Sequence, residues 1–117
     1  EPVCSVAVPS YDLLEKLVKH IAGTGRKYVV APIVSCEAFY TEKGFIEKWV
    51  ERGAVAVDME TAFLFILSRL RKFKAGSILL VSNSLVKPSI YATAAELEKR
   101  VKEVAPAVFD AIIEVST

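Results

Sequence analysis

Histidine and cysteine, the side chains that most often bind zinc, are nearly absent from this sequence. The 117 residues include one histidine, His20, and two cysteines, Cys4 and Cys36, which form no Cys-x-x-Cys pair. Because a tetrahedral zinc site needs several such ligands at short spacings, no metal site is expected. Two isolated cysteines are typical of reduced, apolar side chains, and this favours a cytoplasmic protein.

Long apolar runs and an excess of one charge are missing as well. No apolar stretch reaches the ~18 residues that span a bilayer, and no basic segment followed by an apolar region marks a signal peptide. The 15 Lys and Arg residues nearly balance the 14 Asp and Glu residues, for a net charge of +1. From the balanced charge and the lack of a long apolar run, we expect neither nucleic acid nor a membrane as a partner.

The sequence also contains no Walker loop, no Gly-x-Gly-x-x-Gly segment and no Gly-x-Ser-x-Gly segment, which are motifs of phosphate-binding loops, dinucleotide-binding folds and serine hydrolases.

Apolar residues are abundant. They make up 53% of the chain, and the mean hydropathy is +0.39. A chain of this length can bury roughly two thirds of its surface, which is enough for one domain with a core. The apolar excess is high for a free-standing domain of this size and indicates that a partner or further chain covers part of the surface. The sequence thus predicts a single domain over residues 1–117 that associates with itself or with a partner.

Strand-like apolar runs alternate with amphipathic helical segments. Buried strands are predicted at residues 28–34, 54–57 and 77–81. Helices are predicted from Ser10 to Gly23 or Gly25, from Phe45 to Gly53, from Thr61 to Lys74, and from Thr93 onward, with Pro106 expected to kink or divide the last. This alternation predicts an α/β fold with a mostly parallel sheet.

Polar groups follow each predicted strand. They are Ser35-Cys36-Glu37, Asp58-Met59-Glu60 and Ser82-Asn83-Ser84. Ligands of parallel sheets bind at the carboxyl ends of the strands, so we expect the three groups to meet in one crevice.

Asp58 and Glu60 are the strongest candidates for binding a ligand. An ionised carboxylate only accepts hydrogen bonds and can take both hydroxyls of a sugar diol, while Met59 offers an apolar surface to one face of the ring. The alternative is that Asp58 or Glu60 caps the following helix.

Aromatic and amide side chains near the other strand ends could bind a planar ligand. Phe39 or Tyr40 could stack on a nucleobase, although both could equally be core residues. Asn83 can donate and accept at once, as the mixed edge of a base requires, although Ser-Asn-Ser also favours a turn.

Three stretches together resemble the purine nucleoside and uridine phosphorylase family. They are Val-Ser-Cys-Glu-Ala-Phe-Tyr at residues 34–40, Gly-Ala-Val-Ala-Val-Asp-Met-Glu-Thr-Ala at residues 53–62, and Leu-Val-Ser-Asn at residues 80–83. Their order and separations also match. The resemblance covers essentially the whole chain but only the carboxyl-terminal half of the family's domain. It implies a three-layer α/β sandwich with a mostly parallel central sheet, and an oligomer.

The resemblance implies phosphorolysis of a nucleoside to a free base and a pentose 1-phosphate. Glu60 would hold the ribose hydroxyls, Met59 would pack on the ribose and Phe39 would stack on the base, while Asp58 stands where the family usually has Glu. Asn83 falls where the purine branch has a base-protonating Asp and matches the Asn of the uridine branch. The uridine branch's Gln-x-Arg segment is here residues 41–45, Thr-Glu-Lys-Gly-Phe, so the substrate base stays open.

The phosphate-binding segments of the family lie in its amino-terminal half and have no counterpart in this chain. The resemblance implies inorganic phosphate as a co-substrate, with no other cofactor. The expected partner is a further copy of this chain or an amino-terminal half, since the chain is a fragment, a naturally shortened relative or one half of a split enzyme. We expect the isolated chain not to catalyse phosphorolysis. Two alternatives stay open: a nucleosidase of the same superfamily, which uses water, and a non-catalytic shortened relative that serves as a binding or assembly module.

Overall fold

The computed structural model describes residues 7–36, 44–84 and 91–116. Within these ranges the chain forms α1 (Tyr11–Ala22), β1 (Ile33–Ser35), α2 (Phe45–Glu51), β2 (Ala56–Asp58), α3 (Thr61–Arg71) and α4 (Ala94–Ser116). The chain divides into two compact units, the first comprising residues 1–11 and 30–77, the second comprising residues 12–29 and 78–117. One domain over residues 1–117, matching the carboxyl-terminal half of the family's domain, stays a prediction.

The first unit contains a pair of parallel strands. Ile33 lies opposite Ala56, and Ser35 lies opposite Asp58. The predicted parallel α/β arrangement is confirmed to this extent. The prediction that residues 28–34 form a strand buried on both faces is wrong, because β1 covers only Ile33–Ser35 and Val29 is 79% exposed. In the described part of the chain the sheet has two strands, and just before β1 the Pro32 carbonyl accepts a hydrogen bond from the Val55 N–H at 3.1 Å.

Helices α2 and α3 also belong to the first unit. Phe45 anchors α2 with a buried side chain, and the helix ends near Gly53, whose φ of +89° suits glycine. The predicted end of α3 at Lys74 is wrong by three residues, because Lys72 adopts the left-handed conformation with φ of 59° and the chain leaves the helix there.

Helices α1 and α4 form the core of the second unit. Leu13 and Leu17 pack with the fully buried Ala111, and one turn further along α1, Ile21 packs with Val104. This packing follows from the i, i+3, i+4 spacing of apolar residues in both helices. Of the two expectations for Pro106, the division of the last helix is wrong, since α4 runs from Ala94 to Ser116 and the buried residues on either side of Pro106 pack against α1. A kink at Pro106 stays a prediction.

The predicted third strand, residues 77–81, is not a strand in the structure. No described residue pairs with it in a sheet, while Ile78 and Leu80 pack on the apolar clusters of α1 and α4. Its apolar character therefore reflects side-chain packing against helices. Among the helices of the described ranges, none combines the length and apolarity needed to cross a bilayer.

A charged cluster joins α1 to the carboxyl-terminal end of α4. Glu114 Oε1 accepts a hydrogen bond from Lys19 Nζ at 2.7 Å, Glu114 Oε2 lies 2.6 Å from His20 Nε2, and Lys16 Nζ is 3.6 Å from Oε1. The hydrogen bonds from Lys19 and then His20 lower the pKa of Glu114 from 4.5 to about 2.

Candidate functional site

The carboxyl ends of β1 and β2 bring Ser35 and Asp58 side by side. The two residues are register partners in the parallel pair, and the Cys36 N–H extends the ladder by donating to the Asp58 carbonyl at 3.0 Å. Two of the three polar groups that follow predicted strands therefore lie in the first unit. The third group contains Asn83 and belongs to the second unit.

The Asp58 carboxylate accepts hydrogen bonds on both of its oxygens. Ser35 Oγ donates to Oδ1 at 2.6 Å, and the Thr61 hydroxyl donates to Oδ2. The Thr61 backbone N–H also points to Oδ1, at 3.4 Å. Asp58 therefore bonds to the end of the neighbouring strand and to the start of α3 at once.

Ser35 adds a second connection to α3. Its Oγ accepts a hydrogen bond from the Ala62 N–H at 3.0 Å and lies 3.2 Å from Thr61 Oγ1. Thr61 itself is buried. The first N–H groups of a helix have no partner within the helix, and here Asp58 and Ser35 supply two of those partners.

Glu60 occupies the N-cap position of α3 but makes no side-chain capping hydrogen bond. Its side chain is exposed, and the preceding Met59 is 53% exposed. Of the two capping alternatives that the sequence left open, the geometry supports Asp58. Met59 and Glu60 are instead adjacent exposed residues directly after β2.

In the second unit, Asn83 follows a segment that is held by three hydrogen bonds. Ser82 Oγ donates to Asn83 Oδ1 at 3.0 Å, the Ala92 N–H donates to the Ser82 carbonyl at 2.9 Å, and Arg100 Nη1 reaches the Val81 carbonyl at 3.4 Å. Phe39 and Tyr40, the predicted stacking residues, lie outside the described residues, as does Glu37.

The hydroxyls of Ser35 and Thr61 were not assigned a role from the sequence. The Asp-x-x-Thr spacing of residues 58–61 is the local signal, because a carboxylate three residues before a helix can reach the first N–H. The bond from Ser35 depends on the strand register and has no local signal. Within residues 7–36, 44–84 and 91–116, no three metal-ligating side chains come together.

Comparison with known proteins gives one family. The sequence matches the family described as the phosphorylase superfamily over residues 1–114. Similar proteins include a guanosine phosphorylase from Halorubrum lacusprofundi, 38% identical over 68% of this chain and 34% of that protein. A DeoD-type purine nucleoside phosphorylase from Jannaschia sp. is 36% identical over 65% of this chain and 33% of that protein. Another from Streptococcus gordonii is 34% identical over 76% of this chain and 38% of that protein. The matched region thus spans about a third of these relatives' length.

Proposed function

Because this chain belongs to the phosphorylase superfamily, we propose that it is the nucleoside-binding portion of a nucleoside phosphorylase. Such an enzyme transfers the pentose of a nucleoside to inorganic phosphate and releases the base. The relatives named above are purine nucleoside and guanosine phosphorylases, and this supports a purine nucleoside as the substrate. The proposed complete domain is a three-layer α/β sandwich with a mostly parallel sheet, located in the cytoplasm.

The observation that carries the proposal is the exposed Glu60 carboxylate beside Met59. Since Asp58 and Ser35 cap α3, Glu60 keeps its oxygens available to the two hydroxyls of a ribose. A carboxylate can accept both hydroxyls at once. A charge-assisted hydrogen bond contributes about 1.5–3 kcal/mol to binding, so Glu60 is proposed as the main ribose residue.

The same carboxylate would assist the chemistry. Positive charge develops on the sugar as the glycosidic bond breaks, and a fixed negative group near the ring stabilises that charge. We propose Phe39 and Tyr40 for stacking on the base and Asn83 for contacting its polar edge. These roles follow from the positions of the residues in the family's motifs.

Phosphate is proposed as the co-substrate, bound by a second polypeptide segment that completes the site. Phosphate binding requires arginine side chains or several backbone N–H groups aimed at one point. Holding phosphate against the sugar can be worth about 7–11 kcal/mol of the barrier. We therefore expect this chain to bind nucleoside and to need its amino-terminal partner for turnover.

The test measures base release from guanosine, inosine and uridine, with and without phosphate. The chain is assayed alone and after mixing with the region that precedes the matched segment in the Halorubrum guanosine phosphorylase. We expect phosphate-dependent release only in the mixture, reduced by Glu60→Gln and unchanged by Glu51→Gln, an exposed acid at the end of α2. Release without phosphate would indicate a nucleosidase. Guanosine binding without release in the mixture would indicate a binding module.

A further inference from the structure

We propose that Asp58 is a positioning residue that holds Glu60 for the ribose and does not itself bind the nucleoside. This inference rests on the proposed function, because it assigns roles within the same site. It separates the roles of two acids that lie two positions apart in the sequence and that were both candidates for binding a ligand.

The first argument is the use of the Asp58 oxygens. Oδ1 accepts the Ser35 hydroxyl at 2.6 Å and Oδ2 accepts the Thr61 hydroxyl. With the Thr61 N–H also on Oδ1, three of the roughly four acceptor positions of the carboxylate are taken, which leaves too few for both hydroxyls of a sugar diol. Displacing the hydroxyl of the buried Thr61 would cost it a hydrogen bond to a carboxylate, and such a loss is costly for a buried group.

The second argument is the place of Glu60 between the bonded residues. Asp58 lies two positions before Glu60, and Thr61 directly follows it. The Asp58–Thr61 bonds therefore close a short loop whose interior is Met59 and Glu60. Ser35 bonds to both Asp58 and Ala62 and fastens that loop to β1. The backbone at Glu60 is thus held by groups that need not touch the ligand.

The hydroxyls of Ser35 and Thr61, which bond to Asp58, share in this positioning role. Thr61→Val keeps the shape of the side chain and removes the hydroxyl, so it should weaken guanosine binding, whereas Thr61→Ser should retain it. Thr93→Val is the matched control, since the Thr93 hydroxyl also makes a hydrogen bond at the start of a helix: it accepts the Glu96 N–H at 3.1 Å, at the start of α4. Thr93 lies in the second unit, and its substitution should leave guanosine affinity unchanged.

The deciding experiment is a double-mutant cycle on guanosine affinity, measured by calorimetry with the complete chain. We expect Asp58→Asn and Glu60→Gln each to weaken binding, Glu60→Gln by about 10- to 100-fold. We expect the double variant to bind within about 2-fold of Glu60→Gln alone, because Asp58 acts through Glu60. Losses that multiply in the double variant would overturn the inference, and so would unchanged binding in Asp58→Asn.

A second measurement separates this inference from the proposed function. Hydrogen exchange at the Thr61 and Ala62 amides reports whether Asp58 holds the first turn of α3, with no ligand present. Exchange should be faster in Asp58→Asn and unchanged in Glu60→Gln. If the unsubstituted chain fails to bind guanosine, the proposed function fails. If exchange at these amides is unaltered in Asp58→Asn, the positioning role fails.

Discussion

Leu17 and Leu70 are the same residue type in opposite surroundings. Leu17 is 5% exposed and packs with Leu13 and Ala111, whereas Leu70 on α3 is 72% exposed. We expect Leu17→Ala to lower the free energy of unfolding by about 2–5 kcal/mol, because it removes buried methyl groups and leaves a cavity. Leu70→Ala should change it by less than about 0.5 kcal/mol. Urea denaturation of both variants checks this; equal losses would contradict the described core.

Glu114 makes the stability of the second unit depend on acid pH. Its pKa is lowered from 4.5 to about 2 by Lys19 and His20, so the folded state binds the proton less readily than the unfolded state. The stabilisation is present above pH 4.5 and is lost as the pH falls towards 2. We expect the urea concentration at the unfolding midpoint to fall as the pH is lowered from 4.5 towards 2. In Glu114→Gln this fall should be less steep.

The control for this pH effect is Glu98→Gln. Glu98 is an exposed acid whose Oε1 lies 3.2 Å from Lys102 Nζ one turn away on the same helix. Its substitution removes one negative charge from α4 and leaves the contacts of Glu114 in place. A Glu114→Gln profile that coincides with the Glu98→Gln profile would show that the cluster on Glu114 does not form.

At the residue scale, the sequence located the polar segment near the end of a strand but did not determine which of its two acids bonds to α3. Asp58, Met59 and Glu60 were predicted to follow a strand; Met59 and Glu60 do, whereas Asp58 is the last residue of β2. Which acid caps α3 depends on Ser35, which is 23 positions away from Asp58 and reaches it through strand register. Local spacing carries no information on that contact, so both acids remained candidates.

The end of α1 offers a prediction at the scale of one element. Gly23 and Gly25 both lie in the turn after Ala22, but Gly25 has φ of +76°. We expect Gly25→Ala to lower stability by about 1–2 kcal/mol, because a Cβ is unfavourable in the left-handed region. A Cβ on Gly23 would meet ordinary contacts of 3.5 Å or more, so Gly23→Ala should cost less. Thermal unfolding distinguishes the two, and the reverse order would contradict this turn.

Helices were predicted better than strands, for a physical reason. The apolar spacing of α1, α2 and α4 is local, and each helix satisfies its own backbone. A strand needs a partner, so the apolar run at residues 77–81 could not be distinguished from a segment that packs on helices, as Ile78 does. Pro106 does not divide α4, because the packing of Val104 and Ala107 against Ile21 stabilises the helix by more than the one backbone hydrogen bond that proline removes.

At the scale of the whole molecule, large apolar side chains stay exposed in both units. Phe63 on α3 is 72% exposed, and Phe109 and Ile113 on α4 are 62% and 61% exposed. Monomeric proteins rarely expose large contiguous apolar patches, so we expect the chain to associate at micromolar concentration. Sedimentation should show species heavier than 12.8 kDa, fewer of them in Ile113→Glu. A monomer at every concentration would contradict this.

The central claim, that Glu60 binds ribose, is tested most directly by removing the hydroxyls from the ligand. Guanosine and 2′,3′-dideoxyguanosine share the base, so their affinities differ only through the sugar. Calorimetric titration should show the unsubstituted chain binding guanosine at least about 10-fold more tightly than the dideoxy compound, as expected for a charge-assisted bond. The Glu60→Gln variant should bind guanosine and 2′,3′-dideoxyguanosine with affinities that agree within about 2-fold. If Glu60→Gln distinguishes the two ligands as well as the unsubstituted chain does, Glu60 is not the ribose residue and the account fails.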